Sequence, residues 1–304
     1  MSNVMRNYAY YDQLGWRTRA LNVARSVFRR TPFEGWLQRK AHGLPVESFW
    51  MKLVPPEYTY PKGSWRTVER YGLRWELDLS NTNDHALFFD PVFPADKVLF
   101  DLVGPTSQVV DIGGNIGSFA LRFSRIAKKG RVVSFEPHPV TFERLKANKA
   151  LNALSNLEVV NLGIGSTEAV HRLHQVVANN SGMNRIITGA VVDETLPYVE
   201  IKVVPLENGL ERTAIRKVDV LKIDVEGFED EVLVGSEAII LRDRPVLFIE
   251  VIDANLKENS SSARTLVDRL NGWGYTVEEA ISGRTIDATQ DLTDCSMDVV
   301  CKPV

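Results

Sequence analysis

An α/β fold built on a mostly parallel sheet is what this sequence predicts, and three observations carry that prediction. From Val98 onward, strand-sized apolar runs alternate with helix-sized amphipathic stretches, the rhythm of helices covering both faces of a parallel sheet. The stretch Val109-Val-Asp-Ile-Gly-Gly-Asn-Ile-Gly117 reads as a buried strand, a tight glycine turn and the start of a helix. Acids close several of the runs, at Asp111, Glu136, Asp224 and Glu250. In open α/β sheets ligands lie outside the carboxyl ends of the strands, where strand order reverses, so these positions frame the site.

Bulk properties narrow the classes. The chain has 304 residues, 44% hydrophobic and 25% charged, which suits a packed core rather than disorder. A net charge of −3 argues against a general nucleic-acid binder. Cys295 and Cys301 form no metal pattern and fit a reducing compartment. No apolar stretch resembles a signal peptide or reaches membrane-spanning length, so the expectation is a cytoplasmic protein. Nothing in the sequence decides between a monomer and a homo-oligomer.

Residues 1–95 form an N-terminal extension. Leu14, Ala20, Leu21, Ala24, Val27 and Phe28 recur at helical spacing, with Arg17, Arg19, Arg25, Arg29 and Arg30 on the remaining positions. Residues 1–40 hold eight basic side chains against two acids, Asp12 and Glu34. With Trp16, Phe33 and Trp36 nearby, residues 13–40 suit peripheral contact with an anionic membrane or an anionic substrate, or packing within the protein behind a solvated arginine face. After Pro55, Pro56 and Pro61, Trp65–Arg70 and Leu73–Leu79 alternate across a Tyr71-Gly72 turn, the pattern of a β-hairpin. Asn81, Asn83 and Asp84 then suit a cap ahead of a helix. This extension is expected to cover the entrance of the following domain.

Residues 96–304 form the α/β domain. Strands are expected near Val109–Asp111, Arg131–Glu136, Leu157–Asn161, Val218–Asp224 and Pro245–Val251, and helices over 117–128, 139–152, 228–241 and 260–272. Tyr275–Ala280 and Met297–Cys301 close the sheet as a C-terminal hairpin. The glycine spacing of the first turn is D-x-G-x-x-x-G, not the G-x-G-x-x-G of dinucleotide folds. That spacing suits S-adenosylmethionine: Gly113, Gly114 and Gly117 admit its methionine part, and Asp111 is near enough to receive the amino group. Glu136, about 20 residues beyond the turn, can accept both ribose hydroxyls. Gly163 suits backbone contact with a flat adenine, or serves only as a turn glycine. His138 has no comparable support.

The run Asp219-Val-Leu-Lys-Ile-Asp-Val-Glu-Gly227 is the densest polar set. A period of two puts Lys222 and Asp224 on one face, and charges buried on an apolar strand need partners. Either they pair inside the fold, or Asp224 and Glu226 stand at the mouth of the site as base, substrate orienter or partner of the cofactor's amino group. Glu250 is the matching acid on the next strand. Two carboxylates without a third ligand make a weak metal site, and none is expected.

Together these segments resemble the FkbM family of S-adenosylmethionine-dependent methyltransferases. The family's D-x-G-A-N-x-G loop, phenylalanine-glutamate-proline strand, asparagine-rich helix, K-I-D-V-E-G strand and glutamate-ended fifth strand are matched here. They stand as Asp111–Gly117, Phe135-Glu-Pro137, Asn148 with Asn152, Lys222–Gly227 and Val246–Glu250. The match covers residues 98–252. The resemblance implies a class I methyltransferase (Rossmann-like) fold with a seven-stranded sheet, and O-methylation, often of a sugar or polyketide hydroxyl. It supports Asp111, Gly113, Asn115, Gly117, Glu136 and the adjoining Pro137 as cofactor contacts, and Asp224 and Glu226 as site residues. Two departures stand out: Gly114 replaces an alanine, a more permissive loop, and Pro205-Leu-Glu207 replaces Thr-Leu-Asp. The expected acceptor is a glycan hydroxyl, with a polyketide or other secondary metabolite second. A non-catalytic cofactor-binding partner subunit is the alternative from another class. His171 and His174 stand in reserve as bases. Asn179, Asn180, Ser181, Asn184 and Arg185 suit a hydroxyl-rich acceptor or a solvated loop.

Overall fold

The structure is a computed structural model, and it describes residues 14–29, 32–177, 180–189 and 193–304. Asp12, Arg30 and Asn179, named above, lie outside the described residues, as does the start of the 13–40 segment. The described chain forms two compact units. One runs to Phe93 and includes Val176–Met183; the other is Pro94–Gln175 with Asn184–Val304.

In the smaller unit the expected basic helix is α1 (Trp16–Arg25), continued by a 3-10 turn over Ser26–Arg29. It buries none of its side chains, and Trp16 is 74% exposed. The next helix, α2 (Phe33–Ala41), does bury a face through Leu37 and Ala41. Its Glu34 takes both guanidinium nitrogens of Arg66, at 2.6 and 3.1 Å. After α3 (Phe49–Leu53) comes the hairpin of β1 (Trp65–Arg70) and β2 (Leu73–Asp78). Its Tyr71-Gly72 turn has both φ angles positive, the twist a two-residue hairpin turn requires. Leu73, Trp75 and Leu77 point inward in alternation. The helix α4 (Thr82–Phe89) then starts at Asn81, whose side chain accepts the Asn83 N–H at 3.1 Å.

The larger unit opens with α5 (Pro94–Asp101) and holds a seven-stranded sheet. Chain order gives β3 (Gln108–Ile112), α6 (Ala120–Ile126), β4 (Arg131–Phe135), α7 (Pro139–Ala150) and β5 (Leu157–Val160). An inserted segment follows, then β10 (Val220–Ile223), α9 (Glu229–Asp243), β11 (Val246–Ile252), α10 (Asp253–Lys257), α11 (Ala263–Gly272), β12 (Tyr275–Glu279) and β13 (Ser296–Pro303). The spatial order is β12-β13-β11-β10-β3-β4-β5. The strands β5, β4, β3, β10 and β11 pair in parallel, while β13 runs antiparallel to both neighbours. This is the expected class I arrangement, and its order reverses between β3 and β10. There the crevice opens, beyond Ile112 and Ile223. The central strands are apolar and buried, as parallel strands covered on both faces must be.

One expectation is corrected. The segment between β5 and β10, for which no strand was expected, carries a second sheet, and Arg185, read above as suiting an acceptor or a solvated loop, lies in one of its strands. Its strands are β6 (Gly163–Ile164), β7 (Ala169–His174), β8 (Arg185–Ile186) and β9 (Tyr198–Val204), in the order β6-β9-β7-β8, with α8 (Leu206–Leu210) after β9. Ile201 and Val203 of β9 point into the core with Leu173 of β7 and Ile186 of β8.

Candidate active site

Three strand ends meet at the crevice, and the register decides which polar groups touch. Asp111 stands opposite Ser134 on β4 and opposite Lys222 on β10. Oδ2 of Asp111 accepts the Ser134 hydroxyl at 2.8 Å, and its Oδ1 faces the Lys222 ammonium at 3.4 Å. On its other side that ammonium donates to Asp224 Oδ2 at 3.1 Å, and it lies 5.0 Å from the Phe119 ring. Burial disfavours the charge on Lys222, but the Asp224 and Asp111 carboxylates outweigh it and hold the ammonium above the usual lysine range. Burial pushes Asp111 upward, against the pull of Lys222 and Ser134. Lys222 thus pairs with Asp224, one of the two readings above, and a third of the Asp224 side chain is exposed. Leaving one charge of such a buried set unpaired costs about 3–5 kcal/mol.

The glycine turn is built by close approach. Gly113 has φ +88°, and a Cβ there would sit 1.9 Å from the Asp224 carbonyl oxygen. At Gly114 a Cβ would fall 2.1 Å from Ser134 Oγ. The glycine that stands where the family has alanine leaves room for the Ser134 hydroxyl in the position from which it donates to Asp111. The N–H groups of Gly113 and Gly114 both donate to the Phe135 carbonyl. Gly117, whose N–H returns to the Gly114 carbonyl, closes the turn.

Glu136 ties this turn to the next strand end. Its Oε2 accepts the Asn115 N–H and its Oε1 the His138 N–H, each at 2.8 Å. Burial raises it to about 7, against those two N–H groups. A carboxylate offers about four acceptor sites, so two remain for hydroxyl donors. The carbonyls of Glu136 and Pro137 each accept from Asn161 Nδ2, at 2.8 and 2.9 Å. His138 caps α7. Gly163 opens β6 opposite Val203, and a Cβ there would meet Val203 Cγ2 at 2.9 Å.

Beyond Asp224 the chain makes a tight loop. Glu226 has φ +57°, a conformation that costs a non-glycine residue about 1–3 kcal/mol. The carboxylate of Glu229 holds the loop, accepting the N–H of Val225 at 3.1 Å and of Gly227 at 3.0 Å. Glu226 accepts from Asn255 Nδ2 at 3.1 Å, and Arg185 lies 3.9 Å away, held by Asn255 Oδ1 at 2.8 Å. Burial and the nearby Asp224 charge raise Glu226 to about 8; burial and the same charge raise Glu250 to about 10. Asp224, Glu226 and Glu250 each offer a carboxylate oxygen within 4.8 Å of the others. The third ligand that the sequence did not reveal is Glu226, brought back by its left-handed turn. Such a trio can share protons or hold a divalent cation.

The remaining candidates fall elsewhere. His171 packs edge-on against the Phe228 ring at 5.5 Å, and His174 is buried beside Tyr198. Among the described residues no hydrogen bond or ion pair joins either to Asp224, Glu226 or Glu250. Asn180 accepts the Gly182 N–H, and Ser181 accepts from Asn81. Asn184 Oδ1 is buried without a partner. Glu207, in the first turn of α8, lies 3.9 Å from Arg242 on an exposed surface. Ser134, Glu229 and Asn255 escaped sequence reasoning, and Asn148 entered only as part of the family match. A lone serine in the apolar run Arg131–Phe135 was the available signal for the first. Asn148 donates to the Ile116 carbonyl at 3.0 Å and so fastens α7 to the turn.

A sequence profile described as the methyltransferase FkbM domain matches residues 111–277. Methyltransferase 1 of Beauveria bassiana is 31% identical over 189 residues, 57% of this chain and 74% of that protein. The 31-O-demethyl-FK506 methyltransferase FkbM of Streptomyces tacrolimicus is 28% identical over 199 residues, covering 57% of this chain and 74% of the relative. Hexuronic acid methyltransferase AglP of Haloferax volcanii is 32% identical over 126 residues, 41% of this chain and 48% of that protein.

Proposed function

This chain belongs to the FkbM family of S-adenosylmethionine-dependent methyltransferases, and from that premise we propose that it methylates a hydroxyl oxygen of a glycan. The observation that carries the reading is the set of acids at the reversal of strand order, Asp224 and Glu226, beside the glycine turn that follows β3. The sulfonium methyl is activated before it is bound, so the protein's task is to align an oxygen in line with it, and positioning supplies most of the rate.

In this reading the turn Asp111–Gly117 seats the methionine part, Glu136 with Pro137 holds the ribose edge, and Gly163 borders the adenine. Asp224 and Glu226 face the transfer, one of them taking the hydroxyl proton as attack makes it acidic. The glycan class rests on the relative that acts on a hexuronic acid. The relative named for FK506 supports a secondary-metabolite acceptor as the second reading. Mass spectrometry of glycans from cells lacking this chain tests the first: loss of one methyl mass from a sugar is expected, and an unaltered glycan profile beside an altered metabolite profile selects the second.

We place the acceptor at the inner face of a membrane, met through residues 13–40. The exposed Trp16 and Val23 of α1, among Arg17 and Arg19, suit an anionic lipid surface. Because α1 buries nothing, Arg17→Glu with Arg19→Glu leaves the fold intact. Sedimentation with phosphatidylserine vesicles should fall at least about tenfold at low salt, and unchanged sedimentation removes the lipid contact.

A further inference from the structure

Asp111, the acid first expected to meet the cofactor's amino group, has no exposed surface. One of its oxygens is taken by Ser134; the other accepts no hydrogen bond among the described residues and faces the Lys222 ammonium as an ion pair. Lys222, 2% exposed, stands between Asp111 at 3.4 Å and Asp224 at 3.1 Å. The ammonium uses Asp224 Oδ2, while among the described residues Asp224 Oδ1 accepts no hydrogen bond. The three side chains, two carboxylates and one ammonium, carry one net negative charge, and Asp224 is the only member with surface to offer. A cation arriving in the crevice meets that charge at Asp224, on the side away from Lys222.

We propose that Lys222 is a positioning residue that holds the Asp224 carboxylate for the ammonium group of the cofactor, and that Asp111 acts only through Lys222. Ser134 and Asp111 anchor one side of the ammonium. Its remaining donors fix the Asp224 rotamer, so the carboxylate is oriented before ligand arrives and little ordering is left for binding to supply. With Asp224 so engaged, the acceptor's proton falls to Glu226. This inference rests on the cofactor reading above and deepens it.

The test is calorimetric titration of the full chain with two probes. S-adenosylhomocysteine carries the amino-acid arm; 5′-methylthioadenosine keeps the nucleoside and lacks that arm. Asp224→Asn and Lys222→Met should each weaken S-adenosylhomocysteine at least about tenfold, and leave methylthioadenosine within about twofold of wild type. A merely structural lysine would weaken both probes alike, and that result overturns the proposal. Asp111→Asn added to Lys222→Met should change neither affinity by more than about twofold, since its route to the ligand is already gone. This double variant also replaces the buried ion pair by two neutral groups, and so serves where Lys222→Met alone fails to fold. Additive losses in wild-type and Lys222→Met backgrounds would mean that Asp111 touches the ligand, which overturns the proposal. A wild-type chain that binds neither probe removes the cofactor reading and this inference together.

Discussion

Glu226 carries the sharpest prediction at the level of single residues. Its ionisation near pH 8 comes from burial first and from the Asp224 charge second, and a base works best when its pKa lies near the working pH. Turnover at saturating cofactor should therefore climb as pH rises through about 8, as Glu226 loses its proton. Glu226→Gln should lower the rate about 100-fold and flatten that climb, while the Kd for S-adenosylhomocysteine stays near wild type. A rise that survives in the glutamine variant assigns the base elsewhere. Asp224 and Glu250 were legible in the sequence because each closes a strand-sized run, and Glu226 because it follows two positions beyond Asp224. Ser134 and Lys222 were not legible as partners of Asp111, since which residues face one another across β4, β3 and β10 is a fact of register. Asn255 lies 29 positions from Glu226 along the chain, and no local pattern connects them.

Among elements, the glycine turn makes the clearest demand. Gly113→Ala forces a methyl group into the Asp224 carbonyl, backbone that cannot step aside. Cofactor affinity and melting temperature should both drop, and calorimetry with thermal melts reads each. Gly114→Ala meets only the end of the Ser134 side chain. It should weaken S-adenosylhomocysteine binding by displacing that hydroxyl from Asp111, and Gly114→Ala combined with Ser134→Ala should recover the fold by making room. If the double variant melts lower than either single one, the clash is not what the glycine avoids. The strands and helices of the larger unit were readable because apolar runs and helical periods are long there. The second sheet was not: β6 and β8 are two residues each, and His171, Arg172 and His174 break the alternation of β7. Nor did the closeness of Gly114 to Ser134 show, because the serine lies on β4.

At the scale of the whole molecule, buried acids set the pH response. Glu136, Glu226, Glu229 and Glu250 are all raised by burial, to about 7, 8, 7 and 10. An acid that holds its proton more tightly when folded stabilises the fold fully below its unfolded pKa. That contribution is lost as pH rises through the folded value. The melting temperature should accordingly fall between about pH 6 and about pH 9. Glu250→Gln, which fixes the neutral form, should flatten the decline at its alkaline end. A melting temperature constant across that range would mean these carboxyls are not buried as acids. The order of the seven strands was legible once the family resemblance was seen, whereas the joining of Val176–Met183 to the smaller unit depends on contacts far apart in sequence.

The place of β13 has a consequence for biosynthesis. Translated after every other described strand, it threads between β11 and β12 and hydrogen-bonds to both. Until the ribosome releases it, β12 has no neighbour and β11 lies open along one edge, an invitation to aggregation. A nascent chain halted before Ser296 should stay bound to chaperones and sensitive to protease. Emergence of β13 would then act as a checkpoint, since only with it in place do β11 and β12 belong to one sheet.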